Sequence, residues 1–491
     1  MITFIIDNVT TVGVGLKKYP KLLKCLDAYA PGYQYTYKYK CLGWNGKISL
    51  FDGETFPTGL LPLLIEEINK APIKIPMTIQ DNRVIKPLTT LKPSTVSLRD
   101  YQLDAVNKAI GNTYLGTWWP RGVIQVATGG GKTEIAADLI QKTGISTIFL
   151  VHRTDLEQQT IERFKKYGIS AGDIDDGKLV TVTTVQSLMS CTTNFEKNYI
   201  DHEGNKRQRT EEWLDEKAAT QTARKKEILS LLSGIEQVFI DEAHLVAAKM
   251  ENANLFSTAL SWMPNAYMRW GLTATPFMRD KLHNWMLEGA TGSAIVKITN
   301  RELIDAGYLT EAQVHMYDLG INAGVPKTWP DCYEFGIVVN TSRNMKIIEC
   351  LKTYPQPALV LVTKIGHGEL LEKMAAKAGI KIPFLHGGST KAERKQALQD
   401  MKNGKLKGVI ASTIWDEGMD IPNIQTVILA GGGKSEIKNL QRLGRGLRTS
   451  SNKQTLYLVD FIDRTPRTLH NHSNIRMKLW EEQGFGITIK K

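Results

Sequence analysis

Cysteine is scarce in this chain, and its spacing argues against two kinds of site. The 491 residues include five cysteines, which are widely spaced and form no C-x-x-C pair. Disulfide-stapled domains and zinc ribbons need paired cysteines, so neither a disulfide framework nor a zinc site is indicated. The five are Cys25, Cys41, Cys191, Cys332 and Cys350. This usage is typical of proteins in a reducing cytoplasm.

Long apolar runs are also lacking. None approaches the roughly 18 residues of a membrane-spanning helix. The opening M-I-T-F-I-I-D has neither the basic flank nor the apolar length of an export signal. We therefore expect a soluble, unexported chain with no membrane partner.

Acidic residues are outnumbered by basic ones. Lys and Arg total 62 against 50 Asp and Glu, which gives a formal net charge of +12 and a pI near 9.2. Such a balance suits a polyanionic partner, although many basic proteins never bind nucleic acid. The length favours about three domains, and the 42% hydrophobic content is that of an ordinary globular protein.

The most informative stretch is A-T-G-G-G-K-T at residues 127–133. It follows the apolar run 123–126, which predicts a buried strand, and precedes a helical pattern. Glycines let backbone N–H groups close around phosphates, a lysine reaches the β- and γ-phosphates, and a hydroxyl ligates Mg²⁺. The predicted nucleotide-binding residues are Thr128, Gly129, Gly130, Gly131, Lys132 and Thr133. The general pattern expects a glycine where Val126 stands, so an ordinary glycine turn is the alternative.

Two further positions extend this nucleotide site. Gln102 lies about thirty residues upstream of Lys132, and its amide offers both a donor and an acceptor to an adenine edge. The sequence D-E-A-H follows another apolar strand, 238–240. We predict that Asp241 holds Mg²⁺ and that Glu242 polarises the attacking water. His244 would relay contacts toward Gln441 or toward the T-A-T segment at 273–275.

Polar residues after other predicted strands are candidates for nucleic-acid contacts, because open α/β sheets bind ligands at strand ends. In the first half these are Arg153, Thr184 and Gln186, for which ordinary helix capping is an equal alternative. The charge-balanced insertion 191–233, with a predicted helix over 211–232, favours a variable surface loop over a projecting pin.

A second α/β half, without a phosphate loop, begins near residue 311. Its predicted strands are 358–363, 382–386, 408–412, 426–430 and 455–460. Lys364 and Thr413 follow two of these strands and are further candidates for nucleic-acid contact. In Q-R-L-G-R-G-L-R, Arg445 and Arg448 share one helical face and can act as arginine fingers on a γ-phosphate.

The N-terminal 95 residues read as a small β-rich module followed by a proline-punctuated linker, 72–93. Tyrosine occupies every second position from 33 to 39, which predicts a strand with four rings on one face and Lys38 and Lys40 on the other. Asn45-Gly46 predicts a type I′ hairpin. The lysines are candidates for contacting nucleic acid, whereas the tyrosine face is either this module's core or a stacking surface.

Taken together and in order, these motifs resemble those of the superfamily 2 helicases. The motifs are L-R-D-Y-Q, A-T-G-G-G-K-T, V-H-R-T, T-T-V-Q-S, D-E-A-H, G-L-T-A-T-P, H-G-G-S-T, S-T-I-W-D-E-G-M-D-I-P and Q-R-L-G-R-G-L-R. The segment I-V-V-N-T-S-R-N is similar to the branch of XPB-type repair helicases and restriction translocases. The N-terminal W-N-G-K-I-S-L-F-D and P-T-G-L-L resemble the accessory domain of the phage UvsW-type branch-migration helicases.

The resemblance implies an α/β fold of two tandem RecA-like domains, parallel sheets flanked by helices, with a small N-terminal β-rich domain. The expected boundaries are 1–95 for the accessory DNA-binding domain, 96–310 for the ATP-binding domain and 311–491 for the C-terminal helicase domain. ATP and Mg²⁺ are the implied cofactors. In addition to the residues above, the resemblance implies that Gly418 and Asp420 lie at an interdomain nucleotide site.

The resemblance also implies substrates: DNA forks, four-way junctions and single-stranded regions. We expect a monomer on DNA, possible recombination or replication proteins as partners, and a cytoplasmic location, in the host if a phage encodes the chain. The rival interpretations are a duplex translocase that does not separate strands, an RNA helicase, and an ATP-gated nucleic-acid clamp or sensor.

Overall fold

The computed structural model describes residues 1–88, 90–190, 198–200, 206–208, 210–246, 250–275, 280–320, 328–412, 424–433 and 455–491. The chain packs as two compact units. The first contains Met1–Val126 and Gly131–Lys297, and the second contains Ala127–Gly130 and Ile298–Lys491. The N-terminal module therefore belongs to the first unit.

The N-terminal module is built on a four-stranded sheet of order β5-β2-β1-β6. In β1, alternate side chains are buried, which is the pattern of a strand covered on one face. The strands are β1 (Ile2–Ile6), β2 (Thr10–Val14), β3 (Asp27–Tyr29), β4 (Lys47–Ser49), β5 (Thr55–Pro57) and β6 (Met77–Asp81). The helices are α1 (Pro20–Leu23), α2 (Tyr37–Cys41) and α3 (Leu61–Asn69).

The predicted tyrosine strand is wrong. Residues Tyr33–Tyr35 form one turn of 3₁₀-helix, and α2 follows directly. Gly32 has φ of 66°, which turns the chain out of an extended path, and the Thr36 hydroxyl accepts a hydrogen bond from the Tyr39 N–H at 3.3 Å. This hydroxyl caps α2, so local capping overrides the two-residue periodicity. Lys38 and Lys40 consequently lie on a helix and not on the opposite face of a strand.

Two other expectations for the module also need correction. The stretch interpreted as a linker contains β6, which pairs with β1 in parallel. Asn45-Gly46 is not a type I′ hairpin, because only Gly46 of the two has a positive φ, 77°. Instead the Asn45 side chain accepts a hydrogen bond from the Lys47 N–H at 3.0 Å, and β4 pairs with the distant β3.

The rest of the first unit has a seven-stranded sheet of order β11-β12-β10-β15-β16-β9-β17, flanked by helices. Buried parallel strands read as continuous apolar runs, which is why the sequence predicts them well. The strands are β7 (Thr113–Tyr114), β8 (Thr117–Trp118), β9 (Arg121–Val126), β10 (Thr147–Val151), β11 (Ala171–Gly172), β12 (Val180–Thr184), β13 (Asn198–Ile200), β14 (Lys206–Gln208), β15 (Gln237–Asp241), β16 (Met268–Thr273) and β17 (Ala294–Ile298). The helices are α4 (Asp100–Ile110), α5 (Lys132–Thr143), α6 (Thr154–Lys166), α7 (Val185–Met189), α8 (Glu211–Ser233), α9 (Met250–Ser261) and α10 (Lys281–Thr291).

The N-terminal module shares a hydrophobic core with this sheet domain. Phe4 and Leu60 belong to the same buried cluster as Trp119 and Trp285. At the contact, Gly59 packs so close to α10 that a Cβ there would lie 1.9 Å from the Glu288 carbonyl oxygen. The P-T-G segment is thus a docking contact as well as a turn.

The second unit has its own seven-stranded sheet, of order β20-β21-β19-β22-β23-β18-β24, in which neighbouring strands run parallel. The strands are β18 (Glu311–Asp318), β19 (Ala358–Leu361), β20 (Phe384–Leu385), β21 (Gly408–Ala411), β22 (Thr426–Ile428), β23 (Thr455–Ile462) and β24 (Gly486–Lys490). The helices are α11 (Asn300–Asp305), α12 (Trp329–Tyr333), α13 (Thr341–Thr353), α14 (Ile365–Lys377), α15 (Lys391–Lys402) and α16 (Arg467–Glu482). The expected pair of α/β sheets is confirmed.

In the insertion, α8 confirms the predicted helix, and β13 pairs with β14 as an antiparallel ribbon. Within the described ranges, none of the helices combines the length and the apolar character needed to cross a bilayer.

We predict that acid destabilises the second unit through His367. This side chain is fully buried and its Nε2 lies 2.9 Å from the Asn344 Oδ1. Burial and the nearby Arg343 lower its pKa from 6.5 to about 3. Above pH 6.5 the ring is neutral in both folded and unfolded chains, but below it only the unfolded chain takes up the proton readily. Stability therefore falls as pH falls from 6.5 toward 3, by roughly 2 kcal/mol between pH 7 and pH 5.

Urea unfolding at pH 7 and pH 5 measures this loss. In His367→Gln the ring N–H is replaced by an amide N–H that cannot titrate. The loss of stability between pH 7 and pH 5 should therefore shrink by that amount. An identical pH dependence in the variant and the wild type would contradict the assignment.

Candidate active site

The phosphate loop lies between β9 and α5, as the sequence predicts. Gly129 and Gly131 have φ values of 86° and 84°, in the left-handed region that glycine adopts without strain. Gly131 is the N-cap of α5, so Lys132 and Thr133 are the first two helical residues. The backbone N–H groups at the start of the helix and its positive dipole make this loop suited to an anion.

Gln102 lies directly beside the loop. Its side chain is buried on α4, and its Oε1 accepts a hydrogen bond from the Arg99 N–H at 2.9 Å. A Cβ built on Gly131 would lie 2.1 Å from the Gln102 Nε2. The amide is therefore fixed at the edge of the phosphate loop, a placement compatible with the predicted adenine contact.

Lys132 and Glu242 form an ion pair between the loop and the D-E-A-H segment. The Lys132 Nζ lies 3.1 Å from the Glu242 Oε1, and both side chains are largely buried. Glu242 directly follows β15 and has φ of 46°, an unfavourable backbone for a residue with a side chain. Strain of this kind persists where surrounding contacts hold it, and it is common at active sites.

The pKa values of the two neighbouring carboxyl groups, Asp241 and Glu242, shift in opposite directions. Burial, followed by repulsion from Glu242, raises the pKa of Asp241. Burial also disfavours the charge of Glu242, but Lys132 and His244 outweigh it and hold the pKa of Glu242 below its usual value. Burial likewise opposes the charge on Lys132, while Glu242 and Asp241 raise its pKa. Glu242 thus remains an ionised base at neutral pH.

His244 links this carboxylate to the T-A-T segment. Its Nδ1 lies 3.4 Å from the Glu242 Oε2 and 3.0 Å from the Thr273 Oγ1. The Thr273 hydroxyl in turn accepts a hydrogen bond from the Thr275 N–H at 3.2 Å. A continuous chain of polar contacts therefore runs from the end of β15 to the end of β16, the strand that pairs with β9.

The residues fit a magnesium-bound nucleoside triphosphate. The glycine loop and Lys132 supply donors and positive charge for phosphate oxygens, while Thr133 and Asp241 supply the oxygen ligands that Mg²⁺ prefers. Bound Mg²⁺ would neutralise charge on the phosphates. Glu242 would be the base in this arrangement, as the sequence predicts, and Lys132 could exchange its carboxylate partner for a phosphate.

The predicted nucleic-acid contacts differ in their accessibility. The Arg153 Nε donates to the Asp155 Oδ1 at 3.1 Å, next to the start of α6. Thr184 is buried, and its hydroxyl accepts a hydrogen bond from the Ser187 N–H at 3.0 Å, which caps α7. Gln186, on α7, and Lys364, before α14, are exposed. The nucleic-acid-binding roles of all four residues stay predictions. For Thr184, the structure shows the alternative role of helix cap.

Several predicted residues of the second half lie outside the described ranges. These are Thr413, Gly418, Asp420, Gln441, Arg445 and Arg448. Their assignments stay predictions.

The structure does show how the backbone of residues 429–433 is held, through contacts that the motifs did not indicate. The Arg343 guanidinium donates to the carbonyl oxygens of Leu429 and Ala430, and Tyr333 donates to that of Gly431 at 2.6 Å. Arg476 donates to the Gly433 oxygen at 2.8 Å. The only sequence signal was the I-V-V-N-T-S-R-N resemblance, which contains Arg343 without indicating its role.

Both arginines are buried, and each is neutralised by an acid within or just after β23. The Arg343 Nε lies 3.0 Å from the Asp463 Oδ1, and the Arg476 Nε lies 2.9 Å from the Asp460 Oδ2. A buried guanidinium is tolerated only when it is paired and hydrogen-bonded. These four charged residues and Tyr333 therefore fix the backbone of residues 429–433.

Two family profiles match the chain in the order of its two sheets. The family described as "Type III restriction enzyme, res subunit" matches residues 95–278, which include the phosphate loop and the D-E-A-H segment. The family described as "Helicase conserved C-terminal domain" matches residues 342–450. The chain belongs to the superfamily 2 helicases. As a member of this superfamily it is an ATP-hydrolysing enzyme that uses ATP and Mg²⁺.

Relatives of this helicase include proteins of viruses and archaea. It is 28% identical over 412 residues to putative helicase 22 of Sulfolobus islandicus filamentous virus, covering 77% of this chain and 67% of the relative. It is 24% identical over 496 residues to the DNA 3'-5' translocase XPB2 of Sulfurisphaera tokodaii, covering 89% of this chain and 95% of the relative. The ATP-dependent DNA helicase uvsW of Enterobacteria phage T4 is 26% identical over 235 residues, covering 45% of each protein.

Among solved structures, the helicase resembles a fragment of a putative HsdR subunit of a type I restriction enzyme from Vibrio vulnificus. The TM-score is 0.55 at 17% identity, over 81% of this chain and 69% of the other. At this identity the likeness concerns the fold, and it agrees with two tandem RecA-like domains.

We predict that Gly131→Ala weakens nucleotide binding by about 5- to 30-fold. A side chain at a left-handed position costs about 1–2 kcal/mol, and here the new methyl group would also displace Gln102. Titration with a fluorescent ATP analogue measures the affinity. Gly116→Ala is the matched control, because its φ is 75° and no atom lies within 4 Å of the position that a Cβ would occupy, so it should leave nucleotide affinity unchanged. Equal affinities in the two variants would contradict the geometry of the loop.

We also predict that Glu242→Gln lowers the kcat of ATP hydrolysis by about 10²- to 10⁴-fold while ATP still binds. The amide keeps the size of the side chain but cannot accept a proton. Because the cycle stalls before hydrolysis, the variant should also hold DNA more tightly in ATP.

The control is Glu236→Gln, next to the opposite end of β15, where the carboxylate pairs with Lys86 at 2.5 Å. This variant should hydrolyse ATP at the wild-type rate. Unchanged hydrolysis in Glu242→Gln would remove Glu242 from the role of base.

Proposed function

We propose that this helicase unwinds or branch-migrates forked and four-way-junction DNA in replication, recombination and repair. The observation that carries the choice of DNA is the match to the archaeal DNA translocase, which extends over 95% of that relative. The uvsW relative is likewise named a DNA helicase. Branched substrates rest on the resemblance of W-N-G-K-I-S-L-F-D and P-T-G-L-L to the UvsW-type accessory domain.

The arrangement of the N-terminal module supports a substrate contacted at more than one place. The module packs on α10 of the ATP-binding unit through a shared buried core. It therefore adds a second surface to the same unit, in addition to the strand ends where Arg153 and Gln186 lie. A net charge of +12 favours contacts with phosphates, so binding should be salt-sensitive and largely independent of sequence.

The protein would act as a monomer on DNA in the cytoplasm, with single-stranded regions as part of its substrate and recombination or replication proteins as possible partners. The second candidate is a duplex translocase that does not separate strands. The match to the restriction-enzyme family profile over residues 95–278 favours this alternative.

The deciding test is ATP-dependent strand separation on a mobile four-way junction, compared with 3′- and 5′-tailed duplexes of the same sequence. Branch migration predicts rapid conversion of the junction to forks and weak action on tailed duplexes. Lys132→Ala, which removes the phosphate-loop ammonium, should be inactive on all three substrates. Action on tailed duplexes alone would indicate a conventional unwinding helicase.

ATP hydrolysis that depends on duplex DNA, without separation of any substrate, would favour the translocase. Displacement of a triplex-forming strand from a linear duplex would then report translocation directly.

A further inference from the structure

The N-terminal module exposes an unusual number of aromatic rings. Tyr35, Tyr37 and Tyr39 are 82%, 69% and 40% exposed, and Tyr29 is 53% exposed. We call these four residues, with Lys38, Lys40 and Lys47, the tyrosine surface. Exposed aromatic side chains in a cluster, unlike scattered single ones, mark a binding site.

The rings of Tyr29 and Tyr39 pack against a half-buried neighbouring tyrosine. Tyr33, which is half-buried, stacks on Tyr29 with ring centroids 4.7 Å apart and meets Tyr39 edge-on at 4.9 Å. Gly46 makes room for this arrangement, since a Cβ there would lie 2.1 Å from the Tyr33 ring. The tyrosine surface is therefore a group of supported rings on a short helix and turn, in which Tyr35 and Tyr37 are the most exposed of the described tyrosines.

The charge of the tyrosine surface has one sign. Residues 29–47 contain three lysines and no aspartate or glutamate. Lys38 and Lys40 are exposed, and the Lys47 Nζ lies 5.2 Å from the centre of the Tyr29 ring. Positive charge between aromatic rings suits a chain that alternates phosphates with flat bases.

We propose that the tyrosine surface binds single-stranded DNA, with unpaired bases stacked on Tyr35 and Tyr37 and phosphates near Lys38 and Lys40. In a duplex the faces of the bases are already stacked on one another, so the surface selects unpaired strands. This inference deepens the proposed function, on which it rests for its biological setting: forks supply unpaired bases, and a migrating junction exposes them transiently at the branch point.

The test measures binding of the 491-residue chain, without nucleotide, to a fluorescent thymidine oligonucleotide of 20 nucleotides. Tyr35→Ala with Tyr37→Ala should weaken binding by about 5- to 100-fold, the fold-change expected from lost stacking. Tyr35→Phe with Tyr37→Phe is the matched control, because the rings remain, and it should bind within about twofold of the wild type. Thermal unfolding midpoints of both double variants should equal that of the wild type, since neither side chain is in the core.

Two further measurements separate stacking from charge and from other partners. An abasic oligonucleotide of equal length should bind equally to the alanine variant and the wild type. Lys38→Ala with Lys40→Ala should reduce the slope of log affinity against log salt by about 1.4, whereas the tyrosine variants should leave it unchanged.

The inference is overturned if the alanine variant binds the thymidine oligonucleotide as well as the wild type, which would point to a protein partner instead. It is equally overturned if the variant loses affinity for the abasic oligonucleotide to the same extent. Neither result depends on junction migration. A protein that fails to migrate junctions but shows the predicted losses would contradict the proposed function and leave this inference intact.

Discussion

The ion pair between Lys132 and Glu242 is the contact on which the ATP-binding unit depends. It joins the start of α5 to the end of β15, and the two residues are 110 positions apart in the chain. Each partner would be costly to bury alone, because an unpaired charge in a low-dielectric site loses its hydration without compensation. Pairing keeps both groups charged, and those are the states in which lysine binds phosphate and glutamate accepts a proton. The same ion pair therefore stabilises the site and keeps both side chains in the charged states that the chemistry needs.

This architecture explains why so many strands could be predicted from the sequence. A strand buried on both faces reads as an unbroken apolar run, and the first polar residues after it must lie at the edge of the sheet. The run 238–240 and the carboxylates after it accordingly matched β15 and its end. The same reasoning found the strands of the second sheet, because 358–363 and 426–430 contain β19 and β22.

The wrong predictions concern segments in which the spacing of apolar and polar residues does not reflect burial in the fold. Alternating tyrosines predict a strand only if one face is buried, and here Gly32 and the Thr36 cap divert the chain into helical turns. β6 was missed for the opposite reason, since four of its five residues are exposed and carry no core pattern. The hold of Arg343 and Arg476 on residues 429–433 could not be predicted either, because it joins side chains and carbonyl groups that no local pattern connects.

The shared core of the N-terminal module and the ATP-binding sheet has a consequence for how DNA is held. A module attached only by a linker could swing freely, but here Phe4, Trp119 and Trp285 are buried in one cluster. Gly59 brings the module against α10 at a distance that no other residue allows. Separating the two would expose this apolar surface, at a cost of about 25 cal/mol for each Å². A strand bound to the tyrosine surface is therefore tied to the unit that contains Lys132 and Glu242.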